Sequence, residues 1–246
     1  MRQGGGNLCI GTSGWSYPHW RGPFYPRDLP GGRLLEFYAR HLRSTEINNS
    51  FYQLPQAQTL RQWRDVVPRD FVFAVKASRF ITHMKKLRDP EASTARFLQR
   101  VRTLGRRLGP ILYQLPPHWR FDESRLAQLL ETLPDSRRHA FEFRDRSWHD
   151  RRCYRLLRDH NAAFCIYDLD GFVSPRQVTA DFVYVRLHGP NGPYQGRYTA
   201  RTLAGWAGAF STWLAMDKDV YCYFDNDEAG YAIEDALRLQ RMLEGA

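Results

Sequence analysis

The stretch Ala140–Trp148, AFEFRDRSW, opens with strict alternation: Phe141 and Phe143 point one way, Glu142 and Arg144 the other. A period of two is the signature of a strand. A charged pair on the inward face of an apolar strand requires surroundings that satisfy it. The same design recurs along the chain, as short β-rich runs whose last inward positions are polar. STEIN (44–48) puts Glu46 and Asn48 on one face, and FVFAVKAS (71–78) puts Lys76 and Ser78 there. ILYQL (111–115) offers Gln114, and AFCIY (163–167) offers Tyr167. FVYVRLH (182–188) aligns Tyr184, Arg186 and His188, and DVYCYFD (219–225) aligns Tyr221, Tyr223 and Asp225. LCIGT (8–12) precedes them all.

Between these runs lie helical patterns at 33–42, 59–66, 93–108, 122–133, 150–160 and 200–215, and one from Asp227 or Glu228 to Leu243. Over 93–108, Ser93 is the expected cap, Phe97, Val101, Leu104 and Leu108 form the stripe, and Gly109-Pro110 is the expected stop. The stretch between strands six and seven contains Gly171 and Pro175 and no helical stripe, so a loop or single turn is expected there. Eight strands alternating with helices predict the α/β class, a (β/α)8 TIM-type barrel with an irregular or missing helix between strands six and seven. The expectation is a single barrel domain over 1–246, with residues 1–7 a flexible lead-in.

The bulk numbers agree with such a domain. The chain has 246 residues, 43% hydrophobic and 25% charged, and contains no linker-like or low-complexity tract. GGG at 4–6 is not followed by an apolar region of signal-peptide type, and no run approaches the ~20 apolar residues of a membrane span. A cytoplasmic protein that does not enter the membrane is expected. Cys9, Cys153, Cys165 and Cys222 form no CxxC, and read as reduced core residues rather than zinc ligands. The net charge is +10, concentrated in residues 1–123, which carry 20 Lys+Arg against 9 Asp+Glu. Such a half suits an anionic partner, nucleic acid included. Arg outnumbers Lys 32 to 4, however, a bias that genome composition also produces.

Barrel enzymes work at the C-terminal ends of their strands. In this register that end collects Glu46, Asn48, Lys76, Gln114, Glu142, Arg144, Arg186, His188, Tyr223 and Asp225. The loop Ser13–Gly32 has four prolines and five large aromatics, among them Trp15, and forms a stiff rim. A self-neutralising ion network is the structural alternative to a site. Glu46, Glu142, His188 and Asp225 could together form a divalent-metal site, but Lys76, Arg144 and Arg186 in the same ring would repel a cation. No metal and no cofactor are therefore expected. Lys76 as a point charge and the arginines as planar forks suit a phosphate or carboxylate, and the glycine-rich loop 189–196 follows the strand after which barrels often bind phosphate.

Seven motifs, IGTSGWSYPHW (10–20), EINNSFYQLP (46–55), FAVKASRFITH (73–83), GPILYQLPP (109–117), FEFRDRSW (141–148), YVRLHG (184–189) and YFDND (223–227), taken in order, resemble the YecE-like family, domain of unknown function 72. The resemblance runs from about Ile10 to Leu243. It implies a (β/α)8 barrel and no established reaction, with characteristic polar positions at Glu46, Asn48, Lys76, Gln114, Glu142, Arg144, Arg186, His188 and Asp225. Asn49-Ser50 departs from the family's more frequent Ser-Thr.

The reading is a barrel enzyme with metal-free acid–base chemistry on a small phosphorylated or otherwise anionic ligand. Its catalytic residues would be Glu142 or His188 as base, with Lys76 stabilising negative charge. Arg186, Arg144, Glu46, Asn48, Gln114, Asp225, Tyr223 and Trp15 would bind substrate. The alternatives are a divalent-metal hydrolase or phosphodiesterase, a glycoside hydrolase built on paired carboxylates, and a non-catalytic nucleic-acid binder.

Overall fold

The computed structural model describes residues 5–244. Nine strands form: β1 (Leu8–Thr12), β2 (Ser44–Ile47), β3 (Val72–Lys76), β4 (Leu108–Gln114), β5 (His139–Glu142), β6 (Ala163–Leu169), β7 (Phe172–Val173), β8 (Phe182–Leu187) and β9 (Asp219–Phe224). The helices are α1 (Leu34–Tyr38), α2 (Ala57–Val66), α3 (Pro90–Val101), α4 (Glu123–Thr132), α5 (Arg151–Asp159), α6 (Ala200–Ala215) and α7 (Tyr231–Glu244). The hydrogen-bonded strand order is β1-β9-β8-β6-β5-β4-β3-β2, with β7 attached to β6 alone. Eight parallel strands alternating with helices are the (β/α)8 class. All four cysteines are buried. No helix among the described residues is long and apolar enough to cross a membrane.

The described residues pack as two compact units. The first comprises 5–46, 166–174 and 181–244. In it β8 pairs with β9 from Phe182–Asp219 through Leu187–Phe224, and β9 pairs with β1 from Val220–Leu8 through Phe224–Thr12. Apolar faces of α6 and α7 cover this sheet, with Trp206, Phe210, Ile233 and Leu239 buried. The loop of 13–32 is a packed layer: Trp20 and Tyr25 are fully buried, and Trp20 stacks on Tyr38. Gly11 lies against β2, where a Cβ would stand 2.0 Å from the Ser44 carbonyl oxygen.

The second unit comprises 47–165 and 175–180. Here β3, β4 and β5 pair in sequence, and Gln114 stands directly beside Glu142. Phe141, Phe143 and Trp148 continue one aromatic stack, which explains the apolar half of the AFEFRDRSW pattern.

Several local expectations are corrected. Helix α3 starts at Pro90 and ends at Val101, followed by a 3-10 stretch to Arg107 that turns on Gly105 at φ 60°. Ser93 lies inside the first turn, its hydroxyl donating to the Pro90 carbonyl, and does not cap the helix. Gly109 and Pro110 belong to β4. Helix α7 begins at Tyr231, because the Asp227 carboxylate is engaged by Trp20 and His19. The stretch after β6 is not a simple loop: β7 folds back antiparallel on β6 through Asp170-Gly171. Both turn residues have positive φ, 53° and 73°, as a two-residue hairpin requires. The expected flexible lead-in lies outside the described residues at 1–4. Further on, Gly6 N–H donates to the Leu214 carbonyl and Asn7 N–H to Asp219 Oδ1, at 3.0 and 2.6 Å, so this part is anchored.

Gly11→Ala drives a methyl into the Ser44 carbonyl of a neighbouring strand. The expected cost is about 3 kcal/mol of unfolding free energy or failure to fold, measured by urea denaturation. Wild-type stability in this variant would show that β1 and β2 do not approach closely.

Candidate functional site

In the first unit the strand ends build a polar network around one guanidinium. Arg186, at the end of β8, is completely buried. Its Nη2 donates to Glu46 Oε1 at 2.7 Å, to Asp225 Oδ2 at 3.1 Å and to Ser13 Oγ at 3.3 Å. Glu46, fully buried in β2, also accepts from Ser13 Oγ at 2.9 Å and, through Oε2, from the Tyr184 hydroxyl at 2.6 Å. His188 lies just beyond β8 with Nδ1 3.0 Å from Asp225 Oδ2 and Nε2 3.4 Å from Arg186 Nη1. A guanidinium can only donate, so Nε2 is the acceptor and the ring proton sits on Nδ1, donated to Asp225.

Tyr17, from the aromatic loop, donates to the Ser13 carbonyl. Burial raises its hydroxyl pKa, and the charges of Asp225, Asp227 and Glu46 raise it further. Burial lifts Asp227 to about 6, even with Trp20 Nε1 and His19 bonded to it. Tyr223 is fully buried with its hydroxyl 2.7 Å from Ser44 Oγ, so it is part of the core rather than a surface a ligand meets. Trp15 is half-buried, and its carbonyl accepts the Tyr25 hydroxyl.

In the second unit the strand ends are cationic. Lys76 closes β3 with its ammonium 4.4 Å from the centroid of the Phe51 ring. Glu142 is fully buried; Arg144 Nε donates to its Oε1, and Cys165 Sγ lies 4.0 Å from its Oε2. A π-helical turn, Phe80–Met84, follows β3. It carries His83 against Phe51, ring centroids 4.9 Å apart, with Nδ1 2.9 Å from Thr82 Oγ1. Burial pushes His83 down to about 4, and the charges of Lys76, Arg79 and Arg144 push the same way. The carbonyl oxygens of Asn48 and Gln114 are buried and meet no donor.

The family model "Protein of unknown function DUF72" matches residues 9–246. The chain belongs to the DUF72 family. A curated relative, UPF0759 protein YunF of Bacillus subtilis (strain 168), is 24% identical over 96% of this chain and 95% of its own. Among solved structures, a DUF72 family protein of Thermotoga maritima MSB8 is 29% identical, with a TM-score of 0.87 over 97% of this chain and 99% of its own. One from Enterococcus faecalis V583 superposes with a TM-score of 0.81 at 20% identity, over 96% and 95% of the two chains. The resemblance carried by the seven motifs is thereby borne out, and membership of DUF72 brings no reaction with it.

Of the residues singled out in the sequence, Glu46, Arg186, His188 and Asp225 meet one another, and so do Glu142 and Arg144. Strand periodicity missed Ser13, Tyr17 and His83, which come from loops and turns. It placed Tyr184 on the Arg186 face without identifying Glu46 as its partner. Asp168 was also missed. It lies on β6 with 5% exposure, and its Oδ1 has no hydrogen-bond partner. Among the described residues no three His, Cys, Asp or Glu side chains are grouped to hold a metal ion.

Two outcomes test this description. Arg186→Met leaves Glu46 buried without its cation, so a loss of about 3–5 kcal/mol is expected in denaturant unfolding; a near-neutral effect would contradict a structural role. Burial raises Asp168 from 3.8 to about 6, against a smaller lowering by His188. Between these values the native state holds a proton that the unfolded chain has lost, so stability falls as pH rises through that window. In a melting series from pH 4 to 7, Asp168→Asn is expected to remove that decline, and an unchanged profile would refute the shift.

Proposed function

We propose that this DUF72 protein is an enzyme that binds a small phosphate-bearing ligand at the strand ends of its second unit and acts on it by metal-free acid–base chemistry. Lys76 and Arg144 hold the anion, and Glu142 is the base. The observation that carries the reading is His83. Its proton is disfavoured by burial and then by Lys76, Arg79 and Arg144, so three cations bear on one small volume. The share of that shift that comes from the cations, unlike the share from burial, favours an anion. The buried carbonyl oxygens of Asn48 and Gln114 favour a ligand that also carries hydroxyl donors, since a buried acceptor without a donor costs about 1–3 kcal/mol.

The roles follow from chemistry. Arg144 presents five N–H donors in a plane, so it can keep Glu142 oriented while meeting a phosphate oxygen. Glu142 is preferred to His188 as base because both ring nitrogens of His188 are already engaged, by Asp225 and Arg186. Arg186 is itself committed to two carboxylates, which leaves anion recognition to Lys76 and Arg144. Glu46, holding Arg186, Ser13 and Tyr184, has no oxygen suited to the nucleophile or acid of a glycosidase.

The test is a pH titration of the His83 ring by NMR, with and without inorganic phosphate. Bound phosphate offsets the surrounding cations, so the His83 pKa is expected to rise from about 4 by at least a unit. Lys76→Met should abolish the phosphate-dependent rise and leave the melting temperature nearly unchanged. A titration indifferent to phosphate refutes the anion site. Unfolding of Lys76→Met would instead identify the lysine as a structural counter-ion.

A further inference from the structure

The second unit also holds a cavity away from Lys76. Its volume is about 460 Å³, and it lies between the π-helical turn and α3. Its cationic lining is Lys85, Arg96 and Arg100, and no carboxylate lines it. The Lys85 ammonium donates to the Asp89 carbonyl at 3.1 Å, and the largely exposed Asp89 carboxylate is 3.8 Å away. Arg100 is oriented by donating to the Pro55 carbonyl at 3.0 Å. Neither Arg96 nor Arg100 has an ion pair among the described residues. The apolar lining includes Phe80, Ile81 and Phe97. Phe80 is 48% exposed, and the Lys85 ammonium stands 6.0 Å from its ring centroid.

We infer that this cavity is a mononucleotide site, distinct from the one around Lys76: the planar base lies against Phe80 and the 5′-phosphate is taken by Arg96 and Arg100. The volume falls within the range of small-ligand pockets, about 300–1,000 Å³. A monocarboxylate would satisfy one guanidinium fork and leave the remaining cations facing each other, whereas a phosphate dianion serves two forks and Lys85 together. The exposed ring supplies the stacking face that an aromatic base requires, and a lysine beside it adds attraction. The hydroxyls of Ser78 and Ser93, both lining the cavity, can meet polar edges of the base or ribose.

The experiment is calorimetric titration of the full chain with AMP, adenosine and inorganic phosphate as separate probes. AMP is expected to bind saturably and more tightly than either fragment. Arg96→Glu should weaken AMP at least about tenfold, and Phe80→Ala should weaken AMP by a similar factor while leaving phosphate unaffected. Lys76→Met, which disables the site of the proposed function, should leave AMP binding intact, so the two readings fail separately. Absence of saturable AMP binding overturns the inference. So does AMP affinity unchanged in both Arg96→Glu and Phe80→Ala, or AMP no tighter than phosphate, which would mean an adventitious ion only. Loss of AMP binding in Lys76→Met but not in Arg96→Glu would overturn it too, by assigning the nucleotide to the other site. Melting curves of each variant establish that a lost signal is not lost folding.

Discussion

A guanidinium cannot be buried alone. Desolvating one charge costs several kcal/mol even after relaxation, so the position of Arg186 obliges acceptors to surround it. They come from separate parts of the first unit: Glu46 from β2, Asp225 from the end of β9 and Ser13 from just after β1. The strands β1 and β2 are the two ends of the hydrogen-bonded order. Where a backbone ladder would tie them, side chains do so. Thr45 Oγ1 donates to the Thr12 carbonyl, Ser13 Oγ donates to Glu46, and Gly11 permits the approach by having no Cβ. The buried charges are thus part of how this seam is held.

That requirement separates two kinds of polar strand end. Around Arg186 in the first unit the charged groups are matched by partners within hydrogen-bond range, and the carboxylates outnumber the guanidinium they share. A network of that type gains specificity and offers little to a ligand. In the second unit the balance reverses. Lys76, Arg79 and Arg144 act together on His83, and Glu142 is the carboxylate held against Arg144. The same sequence device, a polar residue at the last inward position of a strand, therefore serves a carboxylate-rich network in one case and a cation-rich group in the other.

The strand-borne half of this was legible in the residues. Alternation of two placed Glu46, Lys76, Gln114, Glu142, Arg186, His188 and Asp225 at strand ends, because side-chain direction in a strand follows from backbone geometry alone. Periodicity has no purchase on loops, so Ser13, Tyr17 and His83 were invisible as partners. The hairpin at Asp170-Gly171 had a usable signal, since Asp-Gly between apolar residues favours two consecutive positive-φ positions. Helix ends shifted for local reasons: Gly105 at φ 60° ended the regular part of the α3 region early, and the Asp227 carboxylate was taken by Trp20 and His19 instead of a helix N-terminus.

The π-helical turn after β3 shows why the informative residues of the second unit collect in so short a segment. Its widened turn is closed by Lys85 N–H on the Phe80 carbonyl, five residues apart. Such turns recur at functional positions because the extra residue redirects side chains that a regular helix would keep in its own spacing. Ile81 and Thr82 are buried and fix the turn against the unit. From that anchor, His83 turns to Phe51 in the neighbourhood of Lys76, while Phe80 and Lys85 line the cavity with Arg96 and Arg100. An α-helical turn of the same sequence would bond Phe80 to Met84 and bring Lys85 back over Ile81, closing the spread. The placement of His83, Phe80 and Lys85 therefore depends on one irregular turn held by two buried side chains, a dependence that neither charge nor hydrophobic periodicity reveals.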